Sequence, residues 1–379
     1  MVNVFMTGAV SFVITFLAIP AIMRVAQEKK LYDLPDARKL HTQPIASLGG
    51  VGIFIGFFLA TLLTISNKQN PEFQFFFASA IVIFFLGLKD DILIISAAKK
   101  FIGQLAAAAI IIHLGNVKID SMHGFMGIEK LPDVAAYLIS YITIIVVVNA
   151  YNLIDGVDGL AGSLGVLTMS VFGSYFLFVD QPLYALLSFA MAGSLLAFLV
   201  FNFHPAKIFM GDSGSLLLGL MNAILVIKFI TVADSPALKT HLDSSVAIGF
   251  SILIVPLLDT LRVFSIRISK GRSPFSPDRN HIHHLLLDRG LHHGYVTISC
   301  LGLNLCFIAM AYYGRSLGST VLICIMTAVS FSLVGALRLV KKVPRKLVVA
   351  RSTQHAVETS IQPSTKVVAL KSEVAVAEQ

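Results

Sequence analysis

Long apolar stretches recur along almost the whole chain, and they constrain the fold more than any other feature of the sequence. A helix needs about 20 mostly apolar residues to cross a bilayer. Of the 379 residues, 56% are hydrophobic and 13% are charged, whereas soluble domains are about a quarter charged. We therefore predict an all-α, polytopic integral membrane protein with about 11 transmembrane helices. The candidate spans lie near 2–23, 48–66, 74–88, 99–115, 134–149, 160–179, 183–201, 215–233, 245–264, 295–313 and 319–340.

Lysine and arginine are distributed unevenly between alternate loops. One set of loops and the C-terminal tail hold most of them, with runs at 24–39, 89–100, 267–289 and 341–371. The opposite loops hold only Lys68, Lys118, Lys130, Lys239 and Arg315. Cytoplasmic loops are the basic ones, so we predict an outside N-terminus and a cytoplasmic C-terminus. The same loops explain the net charge of +8, and we expect no nucleic-acid partner.

A change in composition near residue 340 divides the chain into two parts. We predict one transmembrane catalytic domain over 1–340. Residues 341–379 are polar and rich in small residues, without a helical or strand period. We predict that this cytoplasmic tail is disordered.

Acids and histidines gather in four clusters at the ends of apolar stretches, all on the predicted cytoplasmic side. The clusters are Asp90-Asp91, 149–158 (NAYNLIDGVD), 209–215 (FMGDSGS) and 274–284 (PFSPDRNHIHH). An acid at the membrane edge is costly to hold and usually functional. Their shared side predicts a metal-dependent active site at the membrane surface.

The first two clusters suit a hard cation. Adjacent Asp90 and Asp91 repel each other, so the pair needs a cation or a raised pKa; two solvated loop acids are the alternative. In the second cluster, two amides and two acids surround Gly156, which allows close backbone approach. Oxygen ligands at this density suit Mg²⁺, although an Asn/Asp/Gly turn between helices has a similar composition.

The other two clusters suit an anionic substrate. Asp212 begins the eighth candidate span, where a helix N-terminus favours phosphate; its alternative role is an N-cap, and Phe209 could stack on a base. The guanidinium of Arg279 can bind a pyrophosphate through two parallel hydrogen bonds, and the nearby histidines can also donate hydrogen bonds. A solvated histidine-rich loop is the alternative.

In this order and at these membrane positions, the four clusters resemble the polyprenyl-phosphate N-acetylhexosamine-1-phosphate transferase family. The resemblance covers about 1–340 and includes the loop 33–50. It implies transfer of a sugar-1-phosphate from a UDP-sugar to a polyprenyl phosphate with release of UMP. The run HIHHLLLDRG resembles the branch that uses UDP-GlcNAc, with undecaprenyl phosphate as acceptor, to start O-antigen, common antigen or teichoic acid synthesis.

The resemblance also implies a role for each matching residue. Asp212, Asn152 and Asp155 match the positions that hold Mg²⁺, with Mn²⁺ as a substitute ion. Asp90, Asp91, Asp155 and Asp158 match catalytic positions. The substrate-binding positions match Asp33, Arg38, His41, Asn149, Gly156, Asn202, Phe209, Arg279, His281, His283 and His284. The implied location is a bacterial cytoplasmic membrane with the active site on the cytoplasmic face, and a homodimer is left open. Many members carry a third acid after the aspartate pair, where this chain has Ile92 to Ile95.

Three alternatives compete with this interpretation. Another UDP-N-acetylhexosamine could be the donor. An ion-coupled transporter would also have many spans with acids, but it predicts acids near the midplane and repeated halves. A CDP-alcohol phosphotransferase needs a DGxxAR run, which is absent because Asp155-Gly156 is followed by Val157 and Asp158.

Overall fold

The computed structural model describes residues 2–33, 45–64, 72–233, 242–271 and 281–340, which are mainly helical. The chain divides into two units, Met1–Val343 and Pro344–Gln379, and every described residue belongs to the first. The predicted tail, 341–379, lies outside the described residues.

A helix lies at each predicted apolar segment. In chain order the helices are α1 (Val2–Lys29), α2 (Gly49–Thr64), α3 (Phe73–Ile92), α4 (Ala97–Ala109, continued by a π-helical turn over Ile110–Leu114), α5 (Asp133–Ile154), α6 (Leu160–Phe178), α7 (Pro182–Asn202), α8 (Gly211–Ala233), α9 (Ser245–Ile252), α10 (Ile254–Ser269), α11 (Ile282–Leu287), α12 (His293–Tyr313) and α13 (Ser319–Leu339). Two short antiparallel hairpins were not expected: β1 (Tyr32–Asp33) with β2 (Ile45–Ala46), and β3 (Ser121–Phe125) with β4 (Ile128–Lys130).

The prediction of an all-α polytopic membrane protein is confirmed. Among the described residues, eight helices are long and apolar enough to cross a membrane, and the bent pair α9–α10 makes up to nine. Helix α2 is apolar but shorter. The number of about 11 spans and the orientation stay predictions.

The ninth predicted span is broken rather than continuous. Helices α9 and α10 meet at a bend of 81°. Pro256 in the first turn of α10 has no N–H, so it cannot donate to the carbonyl of Ile252 as a continuous helix would require. Asn304 of α12 donates from Nδ2 to that carbonyl oxygen at 3.0 Å. An apolar environment requires such a replacement partner for a freed backbone group.

Helix α8 lies at the centre of the bundle. It packs against α2, α3, α5, α6 and α9. An 18-residue stretch of α8 is 83% buried, against 17% in α13. Its polar first turn is therefore surrounded by other helices, and their polar ends can converge on it.

Glycines allow neighbouring helices to approach the first turn of α8 closely. A Cβ atom at Gly87 of α3 would lie 2.5 Å from the carbonyl oxygen of Asp212. A Cβ atom at Gly50 of α2 would overlap the backbone nitrogen of Gly214. Small residues are the usual means of close helix packing in membranes, and here they bring two backbones against the segment that carries Asp212.

The end of the first predicted loop is joined to the segment before α8. The amide of Gly50 donates to the carbonyl oxygen of Met210 at 2.8 Å, and the amide of Phe209 donates to that of Ala46 at 2.8 Å. The loop that resembles the first family motif therefore ends beside the FMGDSGS cluster.

Candidate active site

Asp212 lies where α3, α4, α5 and α8 meet. Its Oδ2 is 2.5 Å from Nζ of Lys100, in the first turn of α4. Its Oδ1 accepts a 2.6 Å hydrogen bond from Nδ2 of Asn152, near the end of α5, and that nitrogen also donates to Oγ of Ser215 at 2.9 Å. One carboxylate thus connects a cation from one helix with an amide from another.

The adjacent acids of α3 have different partners. Asp90 is ion-paired with Lys100, with 2.6 Å between Oδ2 and Nζ, and its Oδ1 accepts from the amide of Ile95 at 2.8 Å. Asp91 points to α8 and accepts from the backbone amides of Asp212 and Ser213. Lys100 therefore lies between the carboxylates of Asp90 and Asp212.

Asp155 and Asp158 lie in the short loop between α5 and α6. Burial, together with the neighbouring carboxylates of Asp212, Asp91 and Asp158, raises the pKa of the Asp155 carboxyl to about 7. This is the effect expected of a desolvated acid among like charges. Asp155 therefore shares the electrostatic environment of Asp212.

Asp158 is paired with histidines. Its Oδ2 lies 2.7 Å from Nδ1 of His204 and accepts from the amide of Ala206 at 3.2 Å. Burial alone would raise the Asp158 pKa, but the neighbouring imidazoles of His293 and His204 outweigh burial and lower it to about 2. In the part of the chain that the structure describes, one group of His and Asp side chains has ligand atoms within 4.8 Å of one another: Asp158, His204 and His293. His204 contacts Asp158 within hydrogen-bond distance, and Nδ1 of His293 lies 3.6 Å from Oδ1 of Asp158.

A buried acid of α10 contacts the described end of the histidine cluster, which begins at His281. Asp259 accepts from the amide of Ile282 at 2.8 Å, and its Oδ2 lies 2.8 Å from Nδ1 of His281. Arg262 donates to the same carboxylate at 2.9 Å. His281 and Asp259 are each 5% exposed. This contact fixes the start of α11.

His283 connects α11 to the loop between α5 and α6 that carries Asp155 and Asp158, called the acid loop below. Its Nε2 would lie 2.6 Å from a Cβ atom at Gly156, so only glycine fits there without a shift. Burial lowers the pKa of His283 to about 3. His283 is therefore neutral at pH 7, and His284 follows it in the same short helix.

Two predicted substrate-binding amides make interhelical contacts. Asn149 donates to Oε1 of Gln104 on α4 at 2.9 Å. Asn202 accepts from the amide of Gly159 at 2.9 Å and donates to the carbonyl oxygen of Ile208 at 2.8 Å. Asn202 thereby joins the acid loop to the segment before α8.

The remaining predicted residues are placed only in part. Phe209 directly precedes Met210 and Gly211 and is half-buried. Asp33 pairs with Ile45 through the strand backbone. Arg38, His41 and Arg279 lie outside the described residues. Of the four clusters, the described parts are brought together by the Asp91–Asp212, Asn152–Asp212 and Gly156–His283 contacts.

The comparison with known proteins agrees with this arrangement. Residues 73–230 match the model of a family described as glycosyl transferase family 4. A Bacillus subtilis (strain 168) protein named probable undecaprenyl-phosphate N-acetylglucosaminyl 1-phosphate transferase is 34% identical over 298 residues, covering 77% of this chain and 80% of the relative. The chain belongs to glycosyl transferase family 4. The match over 73–230 includes α3 to α7, all but the last three residues of α8, and the residues that contact the Asp212 side chain.

Two further relatives in family 4 have similar coverage. A decaprenyl-phosphate N-acetylglucosaminephosphotransferase of Mycobacterium leprae (strain TN) is 33% identical, over 77% of this chain and 79% of the relative. An undecaprenyl-phosphate alpha-N-acetylglucosaminyl 1-phosphate transferase of Escherichia coli O157:H7 is 29% identical, over 74% of this chain and 75% of the relative. The family and its bacterial GlcNAc-1-phosphate branch, predicted from the motifs, are confirmed.

Three residues that contact predicted site residues were not themselves predicted as site residues. From the sequence, Lys100 is a topology signal and a cation near Asp90-Asp91; in the structure it pairs with both Asp90 and Asp212. His204 lies between the clusters at 149–158 and 209–215 and belongs to neither. Asp259 was hidden within the ninth apolar stretch, although an acid and Arg262 three residues apart inside a predicted span are themselves a signal of function.

The raised pKa of Asp155 predicts a pH-dependent stability for metal-free protein. In the unfolded chain Asp155 ionises near 3.8, whereas in the folded protein it keeps its proton until about 7. The folded state then binds more protons than the unfolded state between these values, so its contribution to the free energy of unfolding falls as pH rises. Asp155→Asn should remove this contribution. The thermal midpoints of both proteins are measured in detergent with EDTA. We expect the difference, variant midpoint minus native midpoint, to increase from pH 5 to pH 8. A constant difference across this range would contradict the pKa assignment.

Proposed function

We propose that this protein transfers GlcNAc-1-phosphate from UDP-GlcNAc to undecaprenyl phosphate and releases UMP. The printed names of the Bacillus, Mycobacterium and Escherichia relatives support a polyprenyl-phosphate acceptor and a GlcNAc-phosphate product. The observation that carries the proposal is the cluster of Asp90, Lys100, Asn152 and Asp212 at the polar ends of apolar helices. Such a site can meet a soluble nucleotide and a membrane-held phosphate at once.

The donor set of this cluster fits a divalent cation of the Mg²⁺ type. Mg²⁺ is usually held by one or two carboxylates together with substrate phosphates. Asp212 and Asp155 would supply the carboxylates, and Asn152 would supply its amide oxygen if the amide turned so that Oδ1 replaced Nδ2. Mg²⁺ or Mn²⁺, when bound, would neutralise charge on the pyrophosphate.

The reaction is a displacement at the β-phosphorus. An oxygen of the lipid phosphate forms a P–O bond to the β-phosphorus of UDP-GlcNAc, and the bond from that phosphorus to the bridging oxygen breaks. UMP leaves with the bonding electrons. Phosphoryl transfer of this kind depends on alignment and charge neutralisation more than on covalent help from the protein.

The residues of the chain have separate tasks in this step. The Lys100 ammonium neutralises the negative charge of the phosphates as they approach each other. Asp90 or Asp91 accepts a proton from the lipid phosphate when one is present. Lys100 and the Ile95 amide hold Asp90 in place. Direct displacement leaves no sugar phosphate on the protein, so a trapped phospho-sugar on an aspartate would favour a double displacement instead.

The proposed setting is a bacterial cytoplasmic membrane with the site on its cytoplasmic face. The basic loops 24–39, 89–100 and 267–289 are the reason for this orientation. The product is a lipid-linked sugar of the type that begins O-antigen, common antigen or teichoic acid synthesis.

A donor panel tests the proposed function. Purified protein in detergent, with Mg²⁺ and undecaprenyl phosphate, should release UMP from UDP-GlcNAc faster than from UDP-GalNAc or UDP-glucose. Without the lipid phosphate it should release none. Faster release from another UDP-N-acetylhexosamine would change the sugar but not the reaction class, whereas no release from any donor would contradict the proposal.

A further inference from the structure

The two adjacent acids of α3 are held by different kinds of partner. Asp90 contacts a side-chain cation, Lys100, and one amide of its own loop. Asp91 has two contacts with the backbone of another helix: its Oδ1 accepts from the amide of Asp212 at 2.7 Å, and its Oδ2 accepts from the amide of Ser213 at 3.0 Å. Both oxygens of Asp91 are thus directed at the start of α8.

These contacts have the chemistry of a helix cap. The first N–H groups of a helix have no partner within the helix, and a carboxylate near the N-terminus also interacts favourably with the helix dipole. In α8 the cap is supplied by α3, not by the serines that follow Asp212. Two amide hydrogen bonds, one to each oxygen, hold the carboxylate of Asp91 in one orientation against the start of α8.

The backbone around this cap leaves no space for a looser arrangement. Gly211 has φ +72°, and a Cβ atom there would lie 2.8 Å from both carboxylate oxygens of Asp91. On the other side of the contact, Gly87 brings the backbone of α3 against Asp212. The main chain of Asp212 is therefore fixed relative to α3 by two hydrogen bonds and by close packing.

We propose that Asp91 is a positioning residue that holds the first turn of α8, and with it the Asp212 carboxylate, while Asp90 is the acid of the pair that faces the reaction. The part of this inference that concerns catalysis rests on the proposed function. The part that concerns the cap does not, because its hydrogen bonds join protein groups alone.

Hydrogen exchange of metal-free protein tests the cap without any assay of transfer. In native protein the amides of Asp212 and Ser213, followed in peptides covering 209–216, should be protected although they lie in a first helical turn. Asp91→Asn keeps the shape of the side chain but loses its charge and one acceptor, so exchange there should be at least ~10-fold faster. Asp90→Asn, the matched control, should change it by less than about twofold. Fast exchange in the native protein, or no change in Asp91→Asn, would overturn the inference. The native measurement decides even if the variant does not fold.

Kinetics then separates positioning from chemistry. In Asp91→Asn the Mg²⁺ concentration for half-maximal rate should rise about 10–100-fold, as is typical when a residue that orients a metal ligand is lost, and high Mg²⁺ should restore much of the rate. Asp90→Asn should lose rate that Mg²⁺ does not restore. Equal behaviour of the two variants would overturn the division of roles. If native protein shows no transfer at all, the proposed function fails while the exchange result still decides the cap.

Discussion

Asp212→Asn should lower the rate of sugar-phosphate transfer by about 10²–10³-fold, the range seen when one preorganised electrostatic contact to a transition state is removed. The Asp212 carboxylate contacts both Lys100 and Asn152. The amide that replaces it has no charge to hold Mg²⁺ or to orient the ammonium. The measurement is UMP release against Mg²⁺ concentration, in detergent, for native and variant protein.

Asp120→Asn provides the matched control. Asp120 pairs with Lys118 at 2.9 Å, and its side chain is 56% exposed, so its loss should have little effect because exposed ion pairs contribute little. Full Mg²⁺-dependent transfer by Asp212→Asn would show that Asp212 is not a metal ligand.

Lys100→Met should have an effect of similar size, about 10²–10³-fold on the maximal rate. The substitution keeps the length of the side chain but removes the ammonium that lies 2.6 Å from Asp90 and 2.5 Å from Asp212. Two carboxylates then face each other without a cation, and the phosphates lose a neutralising group. The rate at saturating donor and lipid phosphate, measured by UMP release, reports this loss.

Lys99→Met is the control that the chain itself offers. Lys99 is the preceding residue on α4 and is exposed, so its replacement should change the rate by less than about twofold. An alternative outcome is informative too: an unchanged rate with tighter Mg²⁺ binding in Lys100→Met would contradict a role in transfer. It would show that Lys100 only competes with the cation for Asp90 and Asp212.

The fold was predictable where it depends on hydropathy alone. Each apolar stretch forms a helix because a membrane helix satisfies its own backbone groups. The break between α9 and α10 was not predictable in the same way. The freed carbonyl of Ile252 needs a donor, and that donor is Asn304 of α12, which is far away in the sequence. The Pro256 signal was present in the sequence but does not fix an 81° bend.

The site was predictable to the level of which clusters meet. Asn152 and Asp212 were both assigned to the metal, and the structure brings them within 2.6 Å. The different partners of Asp90 and Asp91 were beyond the sequence, since neighbouring helical residues point about 100° apart and the packing of α8 decides which one meets the amides. The Asp259–His281 contact also depends on packing, because it joins a residue inside an apolar span to a residue of a loop that follows it.

The most direct test follows the β-phosphate of the donor. Purified protein is given UDP-GlcNAc labelled with ³²P at the β-phosphate, together with undecaprenyl phosphate and Mg²⁺ in detergent. We expect the label to enter the organic-soluble lipid fraction in an amount equal to the UMP released. Label that stays in water as GlcNAc-1-phosphate, or no turnover of UDP-GlcNAc in this single compartment, would contradict transfer to the lipid.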